Sequence, residues 1–405
     1  MERTPKVKHV TDSELTGDNY ILERPLFAGK EFLQTHTEGL ERIDSLTDRL
    51  NYLVEIFNQL QFSPGYYLQV FDASGSGLFA YCQGNIDNRS DQIKQTTDSV
   101  FDLASISKVV SIAAYLWALE NNRYHLPGIH TTLGEINESF AHSPVLSGLR
   151  LHQLITHNSQ IRHLTWKNIA QFTGTSSIKR HFYHSHSWGG SEVVEDYRCH
   201  NIMLLVFALE EYLEKQGKIY FRDIVQSFID EFELGFVIDQ SKLDPSNTAQ
   251  STNPITKESY IGNHDWKGYY GMVGPSGVFA SAQQLKRFLY RLMNNEFYNT
   301  KQYITTFGEA NTTSNIPPGY NHDRLNGSRF NYMGLRQSYL IPHPWLYAQG
   351  HTGPFIAYHT ELSRYIILTM NPRQQRSVLT KNILENNFEL RVPINSLLCK
   401  AVAMR

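Results

Sequence analysis

Hydrophobic positions along this chain change their period from one segment to the next. IDSLTDRLNYLVEIFNQLQF (43–62) places apolar residues three and four apart, which predicts an amphipathic helix closed by Ser63, Pro64 and Gly65. YYLQVFDASGSGLFAYCQG (66–84) carries two β-rich runs around Ala73–Gly77 and predicts a hairpin. A mainly helical stretch follows from about 104 to 295, broken by polar loops at 121–150, 174–196 and 241–271. GHTGPFIAYHTELSRYIILTMN (350–371) reads as strand–turn–strand, and NILENNFELRVPINSLLCKAV (382–402) as a closing helix. Strands near both ends with helices between predict an α+β fold: an antiparallel sheet flanked by helices, with an inserted helical domain. The expected division is an irregular polar arm over 1–42, an α/β domain over 43–120 and 272–405, and a helical insertion over 121–271.

Composition narrows the function classes. The 405 residues are 41% hydrophobic and 19% charged with a formal net charge of −2, which gives no electrostatic reason to bind nucleic acid or an anionic membrane. Cys82, Cys199 and Cys399 are too few and too scattered for a disulfide framework, and no CxxC pair is present. The most apolar run, VVSIAAYLWAL (109–119), is short of the roughly 20 residues a spanning helix needs. The N-terminal segment has no apolar core of a secretory signal, so a cytoplasmic location is expected. No pattern fixes the number of copies.

One segment carries chemistry. In TTDSVFDLASISKVVSIAAYLWALENN (96–122) a buried helix is expected from Ser105 onward, and residues i and i+3 share a helix face. Lys108 then projects beside the Ser105 hydroxyl. A serine needs a neighbouring base to become nucleophilic, and a lysine serves when burial disfavours its charge. The helix start adds N–H groups that favour a developing oxyanion. Ser-x-x-Lys alone is weak: a second copy, Ser176-Ser177-Ile178-Lys179, lies in a polar loop.

Context makes it specific. DSVFDLASISKVV (98–110) resembles the nucleophile segment of the class C β-lactamase-like serine hydrolases, a group within the serine β-lactamase and penicillin-binding-protein superfamily that includes esterases and DD-peptidases. Further resemblances follow in order: PGYYLQV (64–70) to the first strand, LRLHQLITHNSQI (149–161) to a helix and turn, VGPSGVFASAQQLKRFL (273–289) to a Gly-Gly-x-x-Ser segment with its helix, GHTGPF (350–355) to the His-Thr-Gly strand, and LTMNPR (368–373) to the end of its partner strand. The resemblance spans about 45 to 375 and implies an acyl-enzyme mechanism without metal or organic cofactor, on a small-molecule or peptide acyl substrate. It implies Ser105 as nucleophile and Lys108 as base. In EDYRCHNIMLLVFALEEYL (195–213) it puts Tyr197 in the tyrosine place of the Tyr-x-Asn motif, as a proton-transfer partner. It gives His351 an electrostatic role and puts Cys199, Thr352, Gly353 and Phe355 along the substrate.

Three residues depart from the family pattern. Cys199 stands where an asparagine is usual, and a thiol is a poor substitute for an amide. Gln160 stands where a glycine usually follows Ser159. Pro354 follows His351-Thr352-Gly353 at the place whose backbone N–H would complete the oxyanion hole, and proline has none. A bulge could offer the Phe355 N–H instead, and the residues alone leave that open. The alternatives are a catalytically impaired relative that binds an acyl or peptide ligand, and thiol chemistry at Cys199. The His181, His184, His186 set reads as a solvated loop rather than a metal site. Tyr183, Trp188, Trp266, Tyr269 and Tyr270 are candidates for an apolar pocket wall.

Overall fold

The computed structural model describes residues 26–60, 63–87, 93–140, 143–159, 199–217, 219–252, 259–261, 273–313, 328–338, 341–371 and 391–404. Its centre is a seven-stranded antiparallel sheet. The strands are β1 Gly65–Phe71, β2 Gly77–Gly84, β7 Ser328–Tyr332, β8 Leu335–Ser338, β9 Trp345–Gln349, β10 Phe355–His359 and β11 Arg364–Met370, in the order β2-β1-β11-β10-β9-β8-β7. Two small pairs stand apart from it: β3 Val100–Asp102 with β6 Phe279–Ser281, and β4 Gln250–Thr252 with β5 Ser259–Ile261.

Side-chain alternation divides the core in two. Tyr66, Leu68 and Val70 of β1, Ile366, Leu368 and Met370 of β11 and Trp345 and Tyr347 of β9 face one side. There they meet three helices: α1 Leu26–Leu40, α2 Leu46–Leu60 and, near the C-terminus, α11 Arg391–Ala403. Tyr67 and Phe71, Tyr365 and Ile367, and Leu346 and Ala348 face the other side, against α3 Ser107–Glu120 and α9 Ala282–Met293. A sheet covered on both faces needs apolar residues at successive positions, which is why β1 is buried throughout. Each fully buried Leu, Ile or Phe contributes about 1.5–3 kcal/mol.

The remaining helices are α4 Leu133–Ile136, α5 Pro144–Gly148, α6 Leu151–Ile155, α7 Cys199–Glu214, α8 Phe221–Glu231 and α10 Thr300–Thr313. The apolar stripe of α8 (Phe221, Ile224, Val225, Phe228, Ile229) packs toward α3, whose Trp117 lies 5.6 Å from Phe228 ring to ring. Helix α3 itself is buried from Ser107 to Ala118. Among the described residues no helix is long and apolar enough to cross a membrane.

The α+β class, the antiparallel sheet and the flanking helices agree with the sequence expectation. Two local features differ. Residues 26–40 are helical rather than irregular, because Leu33 and Leu40, seven residues apart, dock on the α2 and α11 layer. Strands β7, β8 and β9 escape the sequence pattern. Each is only four or five residues long, and Gly334, Pro342 and Pro344 interrupt the run in which they lie.

Candidate active site

Strand β3 delivers the chain to the nucleophile position. It pairs with β6 through Val100↔Ser281, Phe101↔Ala280 and Asp102↔Phe279, and the Leu103 N–H continues the ladder to Val278 O at 3.0 Å. The chain then turns sharply. The Asp102 carboxylate accepts the Ala104 N–H at 2.8 Å, and Ala104 takes a left-handed φ of 43°. An alanine held there stores on the order of 1–2 kcal/mol of strain. A single 3-10 turn, Ala104–Ile106, carries Ser105 and runs directly into α3.

In so tight a turn residues i and i+3 nearly eclipse. Lys108 therefore lies over Ser105, with Nζ 2.8 Å from the hydroxyl oxygen. The same Nζ donates to Pro275 O at 3.1 Å. Lys108 is 0% exposed, while Ser105 is partly open. Segment 273–278 is pinned in turn: the Val278 N–H donates to Ser107 Oγ at 3.1 Å, and Gly274 lies against Val206 and Ile202 of α7. The Pro275 carbonyl thus helps aim the lysine head at the serine oxygen. In its neutral form the amine presents a lone pair to the serine proton.

The His351 turn is brought to the same place by backbone contact. Thr352 Oγ1 donates to Asp102 O at 2.6 Å. Gly350 lies so near Leu103 that a Cβ on it would sit 2.6 Å from Leu103 O. Between β9 and β10 the loop is five residues, Gly350–Pro354. The Gly350 N–H donates to Pro354 O at 2.7 Å, and the Gly353 N–H donates to Gly350 O at 3.1 Å. Gly353 has φ 134°, a conformation that favours glycine.

The hairpin keeps its register with both neighbours. The pairs Phe355↔Gln349 and Phe355↔Leu368 continue both ladders in register, without a bulge. Because Pro354 faces β9, alternation turns the Phe355 N–H toward β11. The Phe355 ring is fully buried on the α2 and α11 side, across the sheet from α3. The Phe355 side chain therefore lies on the opposite face of the sheet from the helix that carries Lys108.

Helix α7 contributes a buried polar cluster. Asn201 accepts a hydrogen bond from Ser159 Oγ through Oδ1, and its Nδ2 lies 3.2 Å from His157 Nδ1. All three side chains are buried. They tie the turn after α6 to the first turn of α7, which begins at the partly buried Cys199. Replacing Asn201 with leucine removes the Ser159 acceptor and is expected to cost about 1–3 kcal/mol in urea unfolding. An unchanged midpoint contradicts that role.

No family model matches the sequence, and no curated protein matches it. Solved structures match over most of the chain. A penicillin-binding protein homologue from Pyrococcus abyssi, described as octameric, has TM-score 0.60 at 16% identity, covering 80% of this chain and 73% of that one. A class C β-lactamase from Rhodobacter sphaeroides has TM-score 0.58 at 16% identity, covering 86% and 97%. The chain has the β-lactamase and penicillin-binding-protein fold. A D-amino acid amidase from Ochrobactrum anthropi is similar to the same extent, with TM-score 0.58 at 13% identity over 88% of this chain and 98% of its own.

Within the β-lactamase fold, the structure brings the Ser105–Lys108 pair, the 350–354 hairpin and segment 273–278 together. Thr352 is buried and its hydroxyl ties the hairpin to β3, while His351 is partly exposed. Tyr197, Gln160, Ser176–Lys179, the histidines 181, 184 and 186 and the aromatic residues 183, 188, 266, 269 and 270 lie outside the described residues. Burial pushes the Cys82 and Cys399 thiols up, so neither offers a ready thiolate near neutral pH. Sequence reasoning missed Asp102 and Pro275 and gave Asn201 no role. Asn201 had a visible signal, an amide at the head of an otherwise apolar IMLLVFAL run. Asp102 and Pro275 act through a turn and a backbone carbonyl, which leave none.

Proposed function

We propose that this protein is a serine hydrolase or acyltransferase that works through an acyl-enzyme at Ser105. The observation that carries this reading is the 2.8 Å contact between a fully buried lysine amine and a partly open serine hydroxyl. Lys108 takes the Ser105 proton as Oγ attacks the carbonyl, and returns it to the leaving group or takes one from the incoming water. Tyr197 is assigned to proton transfer with Lys108, and His351 to electrostatic support of the bound acyl group. The substrate is a small-molecule or peptide acyl compound.

A fluorophosphonate probe read by intact mass tests this. One adduct per chain, mapped to Ser105 and lost in Ser105→Ala, is the expected result. Persistent labelling of Ser105→Ala, or none of the parent protein, removes Ser105 as nucleophile.

The closed 350–354 hairpin favours a second reading, a weakly catalytic relative that holds an acyl or peptide ligand in the same place. Saturable ligand binding without an adduct under any condition is its signature.

A further inference from the structure

We infer that the Ser105 site is selective for acyl donors with good leaving groups, thioesters and aryl esters, and discriminates against alkyl esters and amides. The inference rests on the acyl-transfer reading above and goes beyond it by naming the substrate class.

Its basis is the fate of three consecutive backbone positions. The Gly353 N–H is spent on Gly350 O, Pro354 has no N–H, and the Phe355 N–H faces β11. None of these three positions offers an N–H beside Ser105, so of the usual donor pair the Ser105 N–H is the one that remains. A serine site with one donor of the usual two is slower by about a hundred- to a thousandfold in forming a tetrahedral intermediate. That handicap is tolerable only where the acyl donor is reactive in itself.

Leaving-group acidity sets that reactivity. A thiol titrates near ~8.5 and a phenol near ~10, so both depart with the bonding pair at little cost near neutral pH. An amine must be protonated before its C–N bond breaks. In the step envisaged, the Ser105 proton passes to Lys108 Nζ as the Oγ–C bond forms. The C–S or aryl C–O bond then breaks, and the thiolate or phenolate leaves with the proton that Lys108 returns. Water then attacks the acyl-enzyme, Lys108 takes its proton and passes it to Ser105 Oγ as the acyl C–O bond breaks, and the carboxylic acid leaves. The acyl-enzyme is itself an alkyl ester of serine, the class this site handles poorly. Deacylation is therefore slower than acylation, and acyl-enzyme accumulates.

A matched series with one acyl group tests the idea: the 4-nitrophenyl ester, ethyl thioester, ethyl ester and anilide of phenylacetic acid. The 4-nitrophenyl ester and thioester are expected to give a burst near one equivalent and a Ser105 adduct by mass. They should acylate at least about a hundredfold faster than the ethyl ester or anilide. Acylation by the ethyl ester or anilide within tenfold of the thioester overturns the inference. Pro354→Ala adds a second criterion. Position 354 points its carbonyl at Gly350, so a new N–H there is directed into the hairpin, and acylation should rise by less than about threefold. A gain on the order of a hundredfold, as for a restored oxyanion donor, contradicts the geometry. A fluorophosphonate adduct at Ser105 together with indiscriminate donor use overturns this inference alone. Absence of any adduct at Ser105 overturns the acyl-transfer reading and takes this inference with it.

Discussion

Lys108→Met is expected to slow acylation of Ser105 by about a hundred- to ten-thousandfold, the usual worth of a positioned general base. The same variant should melt near the wild-type temperature. Two effects oppose each other in its stability. Methionine leaves Pro275 O without its Lys108 donor, which costs about 1–3 kcal/mol. Removing an amine that is 0% exposed relieves a desolvation cost of several kcal/mol when the group is charged. Methionine is flexible enough to fill the channel the lysine stem occupies, so the two largely offset. Arginine at 108 is expected to be as inactive as methionine, because a guanidinium does not give up its proton in a protein. Probe-labelling rates and melting curves on the three proteins check this. A methionine variant that labels at the parental rate sinks Lys108 as the base. A variant that both fails to label and melts far lower indicates that the lysine serves structure first.

Gly350→Ala is the second large effect. Its Cβ would lie 2.6 Å from Leu103 O and 3.3 Å from both Leu103 C and Pro354 Cδ. The nearest of these is main chain on β3's exit, two residues before Ser105, so relief requires moving either the hairpin or the nucleophile turn. Overpacking of this kind costs about 1–3 kcal/mol. The effect on rate should be larger than stability alone implies. A displacement near 1 Å at a reacting group costs on the order of a hundredfold, and Ala104 is already held at a left-handed φ beside it. Gly77→Ala provides the control, since nothing lies within 4 Å of a Cβ placed there. Labelling should be measured well below both melting temperatures. A Gly350→Ala protein that reacts like Gly77→Ala shows that the hairpin does not position Ser105.

Both effects come from contacts of very different range, and that range explains what could be read in advance. The Ser105–Lys108 pair was legible because three residues of helix fix it, whatever the rest of the chain does. The two-faced burial of β1 and β11 was legible as apolar runs flanked by turns. Strands β7 to β9 were not, because short strands broken by glycine and proline acquire their partners only in the sheet. The helix at 26–40 was not, because its stability comes from α2 and α11 rather than from its own polar sequence.

The sequence by itself determined the α+β class, the helix that carries Ser105 and Lys108, and the lack of an N–H at Pro354, since each depends on residue type and local period. Tertiary structure alone decided what surrounds them. Pro275 O is 167 residues from Lys108, and Thr352 is 250 residues from Asp102. It also decided that the Phe355 N–H turns to β11 instead of replacing the missing donor. The physical reason is directional: a backbone N–H points where its strand register sends it, and register is a property of paired strands, not of the residues in one of them.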